Sequence, residues 1–228
     1  MPEIAYSVRR SERARRVRVT VDPARGVEVV LPAAAYRRGA GAAGREAAAA
    51  VRELAPWIER RVEELARVRC ALAARGDTVP YLGAALRLHA EPGRMRVHRR
   101  GAELLVPMTE DDRRLAVERW YRRAAAGEIA PRLERACALA GTSYSGLTIR
   151  GQRTRWASCS PAGAMSFNWR LLLAPEVVLD YVVCHEVCHL EVMDHSPRFW
   201  SLLAERCPDF RQPAGWLRRN GDTLVLWT

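Results

Sequence analysis

Three histidines of this chain, His185, His189 and His195, fall inside one eleven-residue window, although the 228 residues hold only five in all. The first two belong to the run His185-Glu186-Val187-Cys188-His189. On a helix, residues four apart lie one turn apart on the same face, so both imidazoles can reach one metal ion. Glu186 projects from the adjacent flank. A carboxylate there can take a proton from metal-bound water without occupying a coordination position. Residue types and spacing together point to hydrolysis at a zinc centre.

A catalytic zinc usually takes three protein ligands and keeps a fourth position open. His195 cannot share the face of the other two if the helix simply continues, because each residue turns the chain by about 100° and advances it about 1.5 Å. The helix must stop and the chain must fold back. Asp194 tolerates a turn conformation, and Ser196-Pro197 reads as an N-cap with a first-turn proline. His195 would then sit at an elbow between two helices. Glu205, on the second of them, is the alternative third ligand; His195 is preferred because the end of the first helix delivers it directly.

The elements that must position these residues follow from the pattern of the chain. The apolar run Val177 to Cys184, opened by Pro175, predicts a site helix from about Pro175 to Val192, and a second helix over Pro197 to Arg206. Before them, Leu147 to Arg150 and Thr154 to Ser158 read as strands, and Met165 to Leu172 returns as a strand after the turn Ser160-Pro161-Ala162-Gly163. Glu110-Asp111-Asp112 opens a long helix to about Ala140, with Gly127 and Pro131 as points where it could break. Arg15 to Val21 alternates at period two, and Gly26 to Leu31 follows a Pro-Ala-Arg-Gly turn. The tract from Ala33 to Ala50 carries little information and leads into a helix near Val51 to Ala74, with Pro56 at a start or kink. Gly76 to Val106 reads as short strands broken at Pro92-Gly93, and Trp216 and Thr223 to Trp227 close the chain. The whole reads as α+β. A β-rich N-terminal region with one helix covers 1–106, and the metal-binding catalytic domain covers 107–228.

Composition narrows the setting. No apolar run approaches the roughly 18 residues that span a bilayer, and Met1-Pro2-Glu3-Ile4 lacks the apolar stretch of a signal peptide, so a cytoplasmic protein without a membrane partner is expected. The six cysteines show no paired framework and read as reduced thiols. A net charge of +11 invites a nucleic-acid partner. However, all 37 basic residues are arginine and alanine is abundant, so coding bias explains part of the excess. Arginines cluster at Arg9-Arg10, Arg13, Arg15-Arg16 and Arg18, then at Arg94, Arg96 and Arg99-Arg100. Runs of this kind are ordinarily solvated strand faces.

Several segments carry a resemblance. They are Arg155-Trp156-Ala157-Ser158-Cys159-Ser160, Ser166-Phe167-Asn168-Trp169-Arg170-Leu171, Ala174-Pro175, Asp180-Tyr181-Val182-Val183, His185-Glu186, His189-Leu190 and His195-Ser196-Pro197-Arg198-Phe199-Trp200. Together they resemble the YgjP-like metallopeptidase family, a zincin group similar to SprT/Spartan, whose members cleave proteins crosslinked to DNA. The likeness is dense from about 147 to 220 and looser around Tyr6 to Arg18, Trp57-Ile58 and Tyr81-Leu82-Gly83. It implies a zincin-like metallopeptidase fold, with His185, His189 and His195 as zinc ligands and Glu186 as the catalytic carboxylate. Ala157 stands where glycine is expected and Cys188 where alanine is common. The spacing to His195 matches metzincins, but Val192 replaces their glycine and no methionine follows Met193, so the chain is not one of them.

Three functions compete. The leading one is a zinc-dependent metallopeptidase acting on protein or peptide, with a zinc-activated water, Glu186 as general base, and DNA as a potential partner. Asn168, Arg170 and Tyr181 are candidate substrate or oxyanion contacts. Against these roles stand core packing for Tyr181 and a salt bridge from Arg170 to Asp180. The second function is hydrolysis of a nucleotide or other phosphoanhydride, for which arginines are suited but no Gly-rich phosphate loop is present. The third is a non-enzymatic nucleic-acid-binding module with structural zinc, which the intact Glu186 argues against.

Overall fold

A computed structural model describes residues 4–22, 25–152 and 155–227. Part of the Pro-Ala-Arg-Gly turn and the start of the strand expected from Thr154 lie outside the described residues. The chain divides into two compact units, Met1–Ala71 and Leu72–Trp227.

The first unit begins with three strands, β1 (Tyr6–Ser11), β2 (Arg18–Asp22) and β3 (Gly26–Pro32), ordered β1-β3-β2. β1 runs parallel to β3 and β2 antiparallel to it. Alternation along β3 sends Val27, Val29 and Leu31 to one face. There they bury against Ala43, Ala47 and Val51 of α1 (Ala40–Glu53) and Ile58 of α2 (Ala55–Arg75). The Ala33–Ala50 tract therefore has a definite structure, a 3-10 turn over Ala33–Arg38 followed by α1. Alanine has the best intrinsic helix propensity, and its small side chain lets α1 approach the sheet. The chain breaks at Leu54, which puts Pro56 in the first turn of α2, where its missing N–H is not needed.

The second unit opens with a sheet ordered β4-β5-β7-β6: β4 (Thr78–Tyr81), β5 (Ala84–Ala90), β6 (His98–Arg100) and β7 (Glu103–Val106). The two-residue turn between β4 and β5 uses Leu82 at φ 50° and Gly83 at φ 89°. A left-handed leucine is strained. It is held by a hydrogen bond from the Leu82 amide to the Leu172 carbonyl (2.8 Å). A Cβ on Gly83 would lie 3.7 Å from the Pro175 backbone, so this turn buttresses the start of the site helix.

α3 spans Glu110–Ala140 without interruption, through both Gly127 and Pro131. Proline inside a helix costs about 3 kcal/mol. Burial of Tyr121, Ala125, Ile129, Leu133 and Cys137, four apart on one stripe, outweighs it. Beyond α3, β8 (Gly146–Arg150), β9 (Ala157–Cys159) and β10 (Ala164–Asn168) form a sheet ordered β8-β10-β9. β10 is shorter than the strand expected to reach Leu172. Asn168 Oδ1 accepts the Arg170 amide (3.1 Å) and turns the chain into a 3-10 segment, Trp169–Leu173, that buries Trp169, Leu171, Leu172 and Leu173.

The site helix, α4 (Glu176–Cys188), follows, then α5 (Pro197–Arg206) and α6 (Arg211–Asn220). α4 stops one turn before the expected Val192. α6 was not anticipated, because Pro213 and Gly215 disguise its pattern. No described helix is long and apolar enough to cross a membrane. Arg132 of α3 ties down the start of α4. Its guanidinium donates to Glu128 Oε2 (2.6 Å), to Asp180 Oδ1 (2.9 Å) and to Glu176. Asp180 is thus taken by Arg132, not by Arg170 as the sequence suggested.

Replacing Arg132 with alanine is expected to cost about 1.5–3 kcal/mol, the usual range for hydrogen bonds to charged groups. Urea denaturation reads this directly, and a loss under about 0.5 kcal/mol would reduce the network to ordinary surface pairing.

Candidate metal centre

α4 presents His185 from its last turn, and His189 sits at its C-cap with φ −68° and ψ −15°. The turn after the helix brings the Val192 carbonyl to 3.0 Å from His189 Nδ1. A carbonyl only accepts, so Nδ1 carries the proton and Nε2 keeps its lone pair. Asp194 Oδ1 then accepts the Ser196 amide (3.0 Å), an Asx turn that reverses the chain into α5 and swings His195 back over α4. Ser196 stands at the N-cap and Pro197 at the first helical position, although the serine side chain makes no capping bond.

The three rings converge. His185 Nε2 lies 3.2 Å from His189 Nε2 and 3.1 Å from His195 Nε2, and one ring nitrogen from each residue lies within 4.8 Å of the others. No other group of three such side chains among the described residues is placed to hold a metal. Burial, reinforced by the two neighbouring imidazoles, holds His185 down to about 4, and burial also lowers His189. The pair is therefore neutral at ordinary pH, the state a metal ligand needs. Lone pairs crowded this closely suit one cation at their centre. Metal–nitrogen bonds of about 2.0–2.1 Å in a tetrahedron separate the nitrogens by roughly 3.3–3.4 Å. The donor set and its spacing fit a transition-metal ion.

Phe199, fully buried on α5, forms the floor of the cluster. Its ring centroid lies 4.9 Å from that of His185, 4.5 Å from that of His189 (stacked) and 4.8 Å from that of His195. Trp200 lies beside His195 at 5.6 Å and stacks on Phe210 at 5.9 Å. Neither the Val192 carbonyl nor the Phe199 floor was assigned a role from the sequence. The first is backbone and leaves no signal there, whereas Phe199 stands four residues after His195 within the segment that carries the family resemblance.

Glu186 is 5 % exposed, and its Oε2 has no hydrogen-bond partner among the described residues. Burial pushes its carboxyl up to about 7, opposed by a hydrogen bond from the Cys159 backbone on β9. It is a buried carboxylate poised near neutrality at the edge of a sheet.

The remaining candidates are placed as follows. Asn168 is committed to the fold: its amide donates to the Gln152 (2.7 Å) and Arg155 (3.2 Å) carbonyls while its oxygen holds Arg170. Arg170 donates to the Gly151 carbonyl (3.0 Å) and lies over the Trp169 ring at 4.6 Å. Tyr181 packs edge-on against His185 at 5.9 Å, and burial raises its phenol, which stays protonated. Glu205 is exposed on α5 and is not among the converging groups. Cys184 and Cys188 lie one position off the histidines. Cys188 is fully buried, with Arg206 at 4.0 Å, and both thiols are free.

The sequence model of a family described as YgjP-like, metallopeptidase domain, matches residues 15–220. Among solved structures, the chain is similar to the metallopeptidase zymogen of Pyrococcus abyssi abylysin, with 21% identity and a TM-score of 0.37 over 42% of this chain and 99% of that one. A search of curated proteins found no match. With nearly its whole length matched, and three imidazoles gathered beside a buried glutamate, the chain belongs to the YgjP-like metallopeptidase family and is a metal-dependent hydrolase.

Proposed function

We propose that this protein is a zinc-dependent peptidase in which His185, His189 and His195 hold the ion and Glu186 is the general base. The observation that carries the reading is the convergence of three imidazole nitrogens beside a buried carboxylate with a partnerless oxygen. When bound, zinc supplies Lewis acidity to a water and to the scissile carbonyl. Glu186 Oε2 takes the proton of the attacking water and returns it to the leaving amine, a task suited to a carboxyl held near neutral pH.

β9 is an edge strand, and Glu186 is hydrogen-bonded at its Cys159. An extended peptide added along that edge would be placed beside the base, with backbone hydrogen bonds supplying affinity. The Tyr181 hydroxyl, protonated and without a hydrogen-bond partner among the described residues, is the donor in this reading for the oxyanion of the tetrahedral intermediate. Asn168 and Arg170 act by shaping the chain before α4. Action near DNA is a further part of the reading, and its support is the net charge of +11.

The test is a time course of the zinc-loaded protein with an unfolded basic protein, with and without single-stranded DNA. Fragments that disappear in Glu186→Gln and after chelation support the peptidase. A zinc-loaded protein that cuts no peptide but hydrolyses nucleoside triphosphates would move the assignment to phosphoanhydrides. Glu186→Gln is expected to lower turnover by about 10²–10⁴-fold with zinc content unchanged.

His195→Ala should raise the zinc Kd by more than about 100-fold, beyond what loss of a supporting partner costs, whereas Glu205→Ala should leave it unaltered. The reverse result in a metal titration would make Glu205 the third ligand. Phe199→Ala is expected to cost about 3–5 kcal/mol of stability. Added zinc should restore part of it in a thermal scan, since the ion binds only the folded chain.

A further inference from the structure

The positive charge of this protein is not spread evenly. From Glu110 to the C-terminus sixteen arginines face fourteen acids, close to neutrality, whereas Tyr6 to Arg25 carries seven arginines against Glu12 and Asp22 alone. A coding drift toward arginine would raise both regions alike. A net +5 of the +11 falls within these twenty residues, which hold β1, β2 and the loop that joins them.

Register says where. β1 and β2 flank β3, and both Arg9 and Arg18 pair with Val30. Directly paired residues share a face, so these two arginines stand on the side opposite Val27, Val29 and Leu31, which α1 covers. The connection from β1 to β2 crosses the end of β3 and carries Arg13, Arg15 and Arg16. It is pinned by the Ala14 amide donating to Ser11 Oγ (3.2 Å). All five arginines are exposed. Arg9 is engaged by Glu28 (3.0 Å), and the only acid in the connection, Glu12, is taken by Arg10 (2.8 Å). The side chains of Arg13, Arg15, Arg16 and Arg18 make no hydrogen bond or ion pair among the described residues.

We infer that this face, Arg9 and Arg18 with the Arg13–Arg16 connection, binds the phosphate backbone of a nucleic acid. Guanidinium groups free of carboxylate partners offer the forked donors that match phosphate oxygens. An anionic membrane fits less well. The row holding Arg9 and Arg18 otherwise carries Ser7, Thr20, Glu28 and the buried Val30, with no exposed apolar side chain to enter a headgroup layer. Backbone contacts of this kind position a duplex or single strand without reading its sequence. The inference does not rest on peptide hydrolysis, since every residue it uses belongs to the first unit.

Fluorescence anisotropy of the full chain with labelled single-stranded and duplex oligonucleotides tests it. Poly-glutamate and anionic phospholipid vesicles serve as the other polyanions. Two double variants, R13Q/R15Q and R16Q/R18Q, and their combination are compared with the natural chain, with circular dichroism and zinc content as controls for folding. Binding is expected with a Kd of about 10⁻⁶–10⁻⁴ M at moderate salt. The fourfold variant should lose about tenfold or more of it, and its log–log salt slope should be shallower by about 3, the share of four phosphate contacts. If the fourfold variant misfolds, each double variant should show about half that slope change. The inference is overturned if no oligonucleotide binds in this range, if the folded variants bind as the natural chain does, or if poly-glutamate or vesicles bind as tightly as the oligonucleotides.

Discussion

A helix can place two histidines on one metal but not three at this spacing, so the centre depends on how α4 ends. It ends at Cys188, and the hydrogen bond from His189 Nδ1 to the Val192 carbonyl is what makes the ending useful. That bond pins the turn after the helix through the Val192 carbonyl, fixes the ring, and selects the tautomer with Nε2 free. The turn it stabilises leads directly to Asp194 and the reversal that returns His195. Continued helix to Val192 would carry His195 away from the cluster by geometry alone.

Around that turn the structure concentrates groups that would be costly anywhere else. His185 Nδ1 and Glu186 Oε2 are buried without partners among the described residues, and three imidazoles crowd over one phenylalanine. Burying polar groups unpaired opposes folding, and the rest of the second unit supplies the offset. The α3 stripe, the buried Trp169–Leu173 segment and the Arg132 network hold α4 from behind and at its start. The strained Leu82 turn is packed against the same helix start. Rigid support on one side and unsatisfied polar atoms on the other is the arrangement expected where binding or chemistry occurs.

The chemistry was easier to read than the scaffold. The His-Glu-x-x-His spacing, the need for a helix stop and the proline-led α5 all lie in local sequence, and each depends on interactions within about ten residues. Element boundaries that rest on distant partners were harder. Pro131 looked like a break, but the apolar stripe of α3 carries the helix through it. Met165 to Leu172 looked like one strand, but a single Asn168 side chain turns it. α6 and the Ala-rich α1 were obscured by glycine, proline and alanine, whose local preferences say little until a neighbouring surface is present.

The sequence by itself determined the type of site: three imidazoles and a carboxylate, the periodicity that puts two of them on one helix, and the turn residues that allow the third to return. Only the tertiary structure decided which side-chain atoms already have hydrogen-bond partners. Asn168 and Arg170 look like reactive donors in the linear chain, yet carbonyls of the preceding loop, Gln152, Arg155 and Gly151, take up their hydrogen bonds. Among the described residues Tyr181 and Glu186 each keep an unpaired oxygen, and the Val192 carbonyl becomes a partner of His189. The physical reason is that hydrogen-bond satisfaction and desolvation depend on what surrounds an atom in space, and sequence spacing specifies that only across a turn or two of chain.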